Sequence, residues 1–296
     1  MLIQKVPELT NYHKLKSQNH INNFSLMICD VRIHENRGNL VKREDRKQAI
    51  MDLLVEQHAV DLDDLADRFA VSKMTIHRDL DDLESEGLLR KMRGGATIES
   101  GTQFESDFRF RARQEGAAKA RMARAALDLI EPGMTLMIND GSMAAVLGAM
   151  LPEKRPLTVI TNNAAIIDAL RAEHGITLIA LGGVYSYKFN GFFGVVTEET
   201  LTRLHADVAF ISAPAVQGTR AFHMDDNAVR AKRAMIASAA KTCLLVNHHR
   251  FGRQALHVLA DLSEFDTIIT DAPPESESRA ALDRAGISLS IAGDRA

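Results

Sequence analysis

From position 135 onward, short apolar runs alternate with stretches of helical periodicity, and this alternation narrows the possible folds more than any other feature of the chain. The runs cover 135–139, 157–161, 176–181, 208–212, 242–246, 267–270 and 287–291. Strands separated by helices cross over instead of turning back, so they lie parallel with both faces covered. The reading is one Rossmann-like α/β domain over 127–291. Loops that follow parallel strands gather at one edge of the sheet, where open α/β folds bind their ligands. Here they are 161–163, 181–183 and KFNGFFG at 188–194. The sharpest turn is Asp140-Gly141-Ser142 in LMINDGSMAAVLGAM. Such a turn delivers backbone N–H groups and a hydroxyl to a helix N-terminus, which suits a phosphate. The same residue types also serve simply to turn a strand into a helix, and the motif by itself leaves both readings open.

The N-terminal part has a different pattern. Residues 1–39 are polar, rich in Asn, His and Gln, and show no helical or strand period, so they read as unfolded. The stretch ENRGNLV is what a ribosome-binding sequence followed by a TTG or GTG codon would spell if translated. Native synthesis is therefore expected to start at Leu40 or Val41, which mass spectrometry of the native N-terminus checks. Beyond it, Ile50, Leu53 and Leu54, then Leu62, Leu65, Ala66 and Phe69, then Ile76, Leu80 and Leu83 fall at helical spacing. The second helix ends at Phe69, Ala70 and Val71 turn, and Ser72 is placed to cap the third. With Ile76, Leu80 and Leu83 facing the core, Met74, Thr75 and Arg78 point away and His77 lies on the flank. That face suits a DNA major groove, where Arg reaches guanine and Thr the thymine methyl; a solvated face of a three-helix interaction module is the alternative.

Next comes LLRKMRGGATIES, two short runs around Gly94-Gly95, a hairpin whose paired glycines supply the positive φ of a tight reversal. Arg90, Lys91 and Arg93 cluster on this wing, where phosphates would lie. The pattern over 43–100 is a winged helix-turn-helix. Residues 41–100 nevertheless hold ten Lys or Arg against fourteen Asp or Glu, so the acids have to face away from a duplex. Residues 101–126, with six basic side chains against three acidic, read as a linker and connecting helix able to hinge the two domains.

Composition excludes several classes. No apolar run is long enough for a membrane helix and the N-terminus lacks a signal-peptide pattern, so a cytoplasmic protein without a membrane partner is expected. The net charge of -3 rules out a uniformly basic nucleic-acid binder. Of the two cysteines, Cys29 and Cys243, the second lies in an apolar run and reads as a buried thiol. His223, Asp225, Asp226, His248, His249 and His257 lack a diagnostic ligand spacing, so no metal and no cofactor are expected.

The stretch RKQAIMDLLVEQHAVDLDDLADRFAVSKMTIHRDLDDLESEGLLRKMRGGA resembles the winged helix-turn-helix of the DeoR family of bacterial transcriptional regulators, and the resemblance continues to about residue 291. The family's usual RRDL is His77-Arg78-Asp79-Leu80 here, and its HGGA is Arg93-Gly94-Gly95-Ala96. The resemblance implies an N-terminal winged helix-turn-helix joined to a C-terminal α/β sensor similar to ribose-5-phosphate isomerase, which binds a phosphorylated sugar. It points to Ser72, Lys73, Met74, Thr75, His77, Arg78, Arg90, Lys91 and Arg93 for operator DNA. For the effector it points to Asp140, Gly141, Ser142, Thr161, Asn162, Gly182 and Gly183, with Lys232 in RAKRAM as a further match; Lys232 is otherwise a solvated helix residue. At NHHRFG the family's Asp and Lys are replaced by Asn247 and Arg250, which implies a different ligand or a changed grip, and Arg250 joins the effector set. The implied protein is a repressor of a sugar or polyol operon, a homodimer or homotetramer on double-stranded DNA. The alternative is a sugar-phosphate isomerase or deaminase with an accessory domain. That chemistry needs a carboxylate base, and APAVQG after the run at 208–212 offers none, leaving Asp225 and Asp226 as the nearest substitutes.

Overall fold

The computed structural model describes residues 43–57, 59–85, 88–97 and 107–293, so the readings for 1–39 and Cys29 lie outside the described residues. Helix α1 (Arg43–Gln57) leads through strand β1 (Ala59–Asp61) into α2 (Leu62–Phe69) and α3 (Lys73–Ser85). Asp61 ends β1 and caps α2, accepting from the N–H groups of Asp63 and Asp64. Ala70 closes α2 in the left-handed conformation, φ 51°. Ser72 then receives the N–H of Thr75 on its hydroxyl at 3.2 Å, as a cap should. Ile50, Leu54, Leu65, Ile76, Leu80 and Leu83 close one buried cluster beneath the three helices.

The wing is β2 (Arg90–Met92) and β3 (Gly95–Thr97), with β1 as a third strand in the order β1-β3-β2. Its two glycines act differently from expectation. Only Gly94 takes a positive φ, 84°, whereas a Cβ on Gly95 would lie 2.0 Å from the Val60 carbonyl oxygen. Gly94 makes the reversal and Gly95 allows β3 to close on β1. The strand β1 itself had no signal in a three-residue AVD whose partner lies far along the chain.

The remainder is an α/β domain. Helices α4 (Phe108–Arg113) and α5 (Gly116–Leu127) come from the stretch read as a connector, but α5 buries Met122, Ala123, Ala126 and Leu127 against the sheet. Strands β4 (Thr135–Ile138), β5 (Leu157–Thr161) and β6 (Ile176–Ala180) are joined by α6 (Ser142–Met150) and α7 (Ala164–Leu170). A hairpin, β7 (Val184–Ser186) and β8 (Gly191–Phe193), precedes α8 (Val195–Leu201) and β9 (Ala206–Ser212). Strands β10 (Ala215–Gln217) and β11 (Arg220–His223) lead to α9 (Asp226–Ala237) and β12 (Ala239–Leu245). The chain finishes with β13 (His257–Asp261), β14 (Thr267–Thr270), α10 (Ser276–Arg284) and β15 (Ser290–Ile291).

The central sheet runs β15-β14-β12-β9-β4-β5-β6, parallel throughout. Side chains alternate between two cores: Leu136, Ile138, Val208 and Phe210 face α5 and α6, while Met137, Ala209 and Ile211 face the side covered by α8 and α9. This period of two, apolar on both faces, is what made the strands legible as apolar runs. The last run shrinks to Ser290–Ile291, because Ile287 and Leu289 pack against the core instead of pairing. KFNGFFG is not a loop behind a parallel strand; it forms most of the antiparallel β7–β8 hairpin, whose Phe192 N–H bonds to the Asn162 carbonyl at 2.9 Å. β10, β11 and β13 make a second small antiparallel sheet beside the main one. Winding outward in both directions from β4 and β9 places the topological switch point between those two strands.

Candidate functional site

At the switch point the carboxyl ends of β4 and β9 diverge, and a cavity of about 590 Å³, its open mouth included, lies above them. Asn139, just past β4, accepts the Ser212 N–H at 2.9 Å and so ties the two strand ends together. Asn163 donates to the carbonyls of Asn139 and Gly141 at 3.3 and 3.1 Å, holding the turn into α6 from the other side. Gly141 has φ 120°, and a Cβ there would meet Ser212 Oγ at 2.8 Å and Arg111 Nη1 at 3.8 Å. A side chain would thus be strained and would fill the space through which these groups approach. Ser142 opens α6 and, with its neighbour Met143, lines the cavity.

Four cations converge there: Arg111 from α4, Lys119 from α5, Lys232 from α9 and Arg250 from the 3-10 turn His248–Arg250. Lys232 is 2% exposed, which removes the reading of it as a solvated helix residue. Its ammonium donates to the Ser212 carbonyl at 3.0 Å and lies 3.6 Å from Asp140 Oδ1, a carboxylate itself 1% exposed. Burial pushes the Lys232 ammonium below its ordinary value, with Asp140 opposing and Arg111 adding to the shift. Burial likewise lowers Lys119 to about 8, with Glu115 opposing and Arg111 and Arg250 adding. His223, at the end of β11, is pushed down to about 2 by burial and by Lys232 and Arg111. It is therefore neutral, and since Nδ1 accepts the Asp225 N–H at 3.1 Å, its proton sits on Nε2. Four cations against two carboxylates, Glu115 on the cavity lining and Asp140 beside Lys232, leave an excess of positive charge that favours an anion.

Hydrogen-bonding capacity is also left over. Asp140 Oδ2, Asn162 Oδ1 and Asn247 Nδ2 are buried with no hydrogen-bond partner among the described residues. Two acceptors and a donor in this state match a ligand bearing hydroxyls as well as charge.

Of the effector residues read from the sequence, Asp140, Gly141, Ser142, Lys232 and Arg250 come together here. Asn162 borders the group, since Gly191 of the hairpin packs against both its carbonyl and Asp140 Cβ. Thr161 is turned to the strands, donating to the Ile138 carbonyl at 2.6 Å. Gly182 and Gly183 do not line the cavity; the first accepts from Thr197 at 2.6 Å and the second lets Phe193 and Thr197 approach. They sit beyond β5 and β6, on the far side of β4 from β9, because sequence order conceals which strands become neighbours. The reading missed Arg111 and Lys119, whose charges looked like those of a linker, and His223, on a strand with no periodic signal. Asp225 caps α9 and Asp226 pairs with Arg230 on the surface. Among the described residues, no group of three or more His, Cys, Asp or Glu is placed to hold a metal.

The opposite end of the chain carries the helix face read as DNA-contacting. Met74 is 61% exposed, His77 and Arg78 are exposed, and Thr75 is half-buried with its hydroxyl 2.9 Å from Ser72 Oγ. Arg90 and Arg93 are exposed on the wing. Lys73 and Lys91 pair with Asp63 and Asp81, so a duplex has to compete for their charges. The acids of α2 and α3 are partly absorbed in such pairs, Asp82 with Arg43 among them. Asp79, by contrast, is buried and holds Arg46 of α1 at 2.5 Å. No helix of the described residues is long and apolar enough to cross a membrane, and Cys243 is buried with its thiol pushed up to about 12.

Both parts of the chain have counterparts among known proteins. The DeoR-like helix-turn-helix domain matches residues 46–102 and the DeoR C terminal sensor domain matches 114–272. The chain is similar to the glycerol-3-phosphate regulon repressor of Escherichia coli (strain K12), 28% identical over 79% of this chain and 93% of the relative. It is also similar to the HTH-type transcriptional regulator YgbI of the same organism, 31% identical over 84% of this chain and 97% of the relative. A solved structure of ribose 5-phosphate isomerase A from Methanocaldococcus jannaschii overlaps 45% of this chain and 53% of that one at 18% identity, with a TM-score of 0.33. With both DeoR domains present in order over most of its length, the chain belongs to the DeoR family of DNA-binding transcriptional regulators.

Proposed function

We propose that this regulator represses an operon for the catabolism of a sugar or polyol and leaves its operator when a phosphorylated sugar occupies the switch-point cavity. The observation that carries the reading is the convergence of Arg111, Lys119, Lys232 and Arg250 on one cleft, where Lys232 is backed by buried Asp140, whose Oδ2 has no hydrogen-bond partner among the described residues. The cations and the N-terminus of α6 with Ser142 take the phosphate, and Asn247 on the cavity lining, with Asp140 and Asn162 next to it, takes hydroxyl groups. A relative named as a glycerol-3-phosphate regulon repressor supports a phosphate ester as the class. Ser72, Lys73, Met74, Thr75, His77 and Arg78 enter the major groove, and Arg90, Lys91 and Arg93 hold the flanking phosphates. Because one winged helix buries too little surface for strong specificity, the working species is a homodimer or homotetramer spanning two half-sites.

The test is fluorescence anisotropy on DNA from upstream of the protein's own gene against a scrambled duplex, with and without a panel of sugar phosphates. Preferential binding released by one ester is expected, and Ser142→Ala should keep the preference but blunt the release. Equal binding to both duplexes, untouched by every ester, would refute the reading, and turnover of the same esters would then be measured.

A further inference from the structure

Helix α4 is FRFRAR, three arginines two residues apart. At 100° per residue Arg109 and Arg113 share a face and Arg111 points the opposite way. On the shared face, Arg109 Nη1 donates to Gln48 Oε1 at 2.8 Å and to the Tyr187 hydroxyl, with the guanidinium 4.0 Å from the Tyr187 ring centre. Arg113 pairs with Asp52. Gln48 and Asp52 lie one turn apart on α1 and bond to each other at 2.8 Å. That same helix grips α3 through the buried Arg46–Asp79 pair. On the other face Arg111 lines the cavity, and Lys119 Nζ donates to the carbonyls of Arg111 and Gln114. Those carbonyls lie at the C-terminal end of α4, where the Arg111 carbonyl also accepts the Gln114 N–H at 3.3 Å. The Lys119 ammonium therefore serves two ends, capping α4 and facing whatever enters the cavity.

We propose that α4 transmits occupancy of the cavity to the DNA-reading domain. An anion that draws on Arg111 and Lys119 takes both a side chain of α4 and its C-terminal cap, and Arg109 and Arg113 carry the resulting shift to α1. This rests on the anion site proposed above and adds the route by which that site is felt. Arg109 and Arg113 are positioning residues, touching neither the cavity nor the exposed face of α3.

The experiment is hydrogen exchange by mass spectrometry on the full chain, with and without inorganic phosphate, following segments 43–57 and 108–127. In the wild type, phosphate should slow exchange severalfold in 108–127 and change it in 43–57. Arg113→Asp should keep the first response and lose the second, and the charge-swapped pair Asp52→Arg with Arg113→Asp should restore it. Should Arg113→Asp unfold α1, Arg113→Gln takes its place with the same expectation. A response in 43–57 that is absent in the wild type, or equal in all variants, overturns the α4 route while leaving the anion site standing. No response in either segment overturns the anion site and the route together.

Discussion

Asp79 lies on α3, the helix proposed to read DNA, where an acid next to exposed Arg78 would weaken binding if it too faced out. It does not, being 1% exposed and locked onto Arg46 of α1. Breaking a buried pair leaves an uncompensated charge and costs about 3–5 kcal/mol. Asp79→Asn should therefore lower the stability of the DNA-reading domain by that order in urea denaturation, and a loss under 1 kcal/mol would mean that Arg46 re-solvates easily. Lys119 makes a prediction about binding instead. Because its free-state value is about 8, it loses its charge as pH rises through 8, and an anion that needs the charge should bind more weakly above that point. Calorimetric titration with a sugar phosphate between pH 7 and 9.5 tests this, and Lys119→Met should flatten the profile. His223 acts on folding. Its value is about 2 when folded and the ordinary 6.5 when unfolded, so below pH 6.5 only the unfolded chain takes up the proton. Its contribution is fully present above pH 6.5 and is lost as pH falls toward 2, amounting to about 2 kcal/mol between pH 7 and 5. His223→Gln should make stability less steep over that interval by about the same amount; an unchanged slope would place the proton elsewhere.

Elements with strong local signals were legible and those made by distant pairing were not. The stripe of Ile76, Leu80 and Leu83 told which face of α3 packs, and all three are buried. The apolar runs located the parallel strands because both faces of that sheet are covered. What escaped was set by tertiary neighbours: β1 pairs with β3 across more than thirty residues, and β11 finds β13 the same way. The candidate site was half visible for the same reason. Asp140, Gly141 and Ser142 announce themselves in one turn, whereas Arg111 and Lys119 become cavity residues only because α4 and α5 fold back over the switch point. The element with the clearest task is α3. Arg78→Ala should lower affinity for specific DNA by about 1–3 kcal/mol and relax preference at one base position. Anisotropy on operator and scrambled duplexes decides it, since an equal loss on both would make Arg78 a phosphate contact.

At the scale of the whole molecule the two domains have to share one free energy. Exposed Arg78 and the cavity cations lie on different domains, and α4, contacting both, is the element whose position each can bias. If occupancy of the cavity disfavours the DNA-bound arrangement, thermodynamic linkage makes the effect mutual: the factor by which effector weakens DNA binding equals the factor by which DNA weakens effector binding. Coupling of this kind is commonly about 1–3 kcal/mol, roughly 5- to 150-fold in affinity. Calorimetric titration of the releasing ester into free protein and into protein saturated with operator gives the second factor directly, and anisotropy at zero and saturating ester gives the first. The two should agree within error, and both should shrink together in Arg113→Asp while the ester still binds the free protein. Factors that disagree would mean that the species binding DNA and the species binding ester differ in assembly. Release would then be a change in subunit number rather than a shift of α4 within a fixed oligomer.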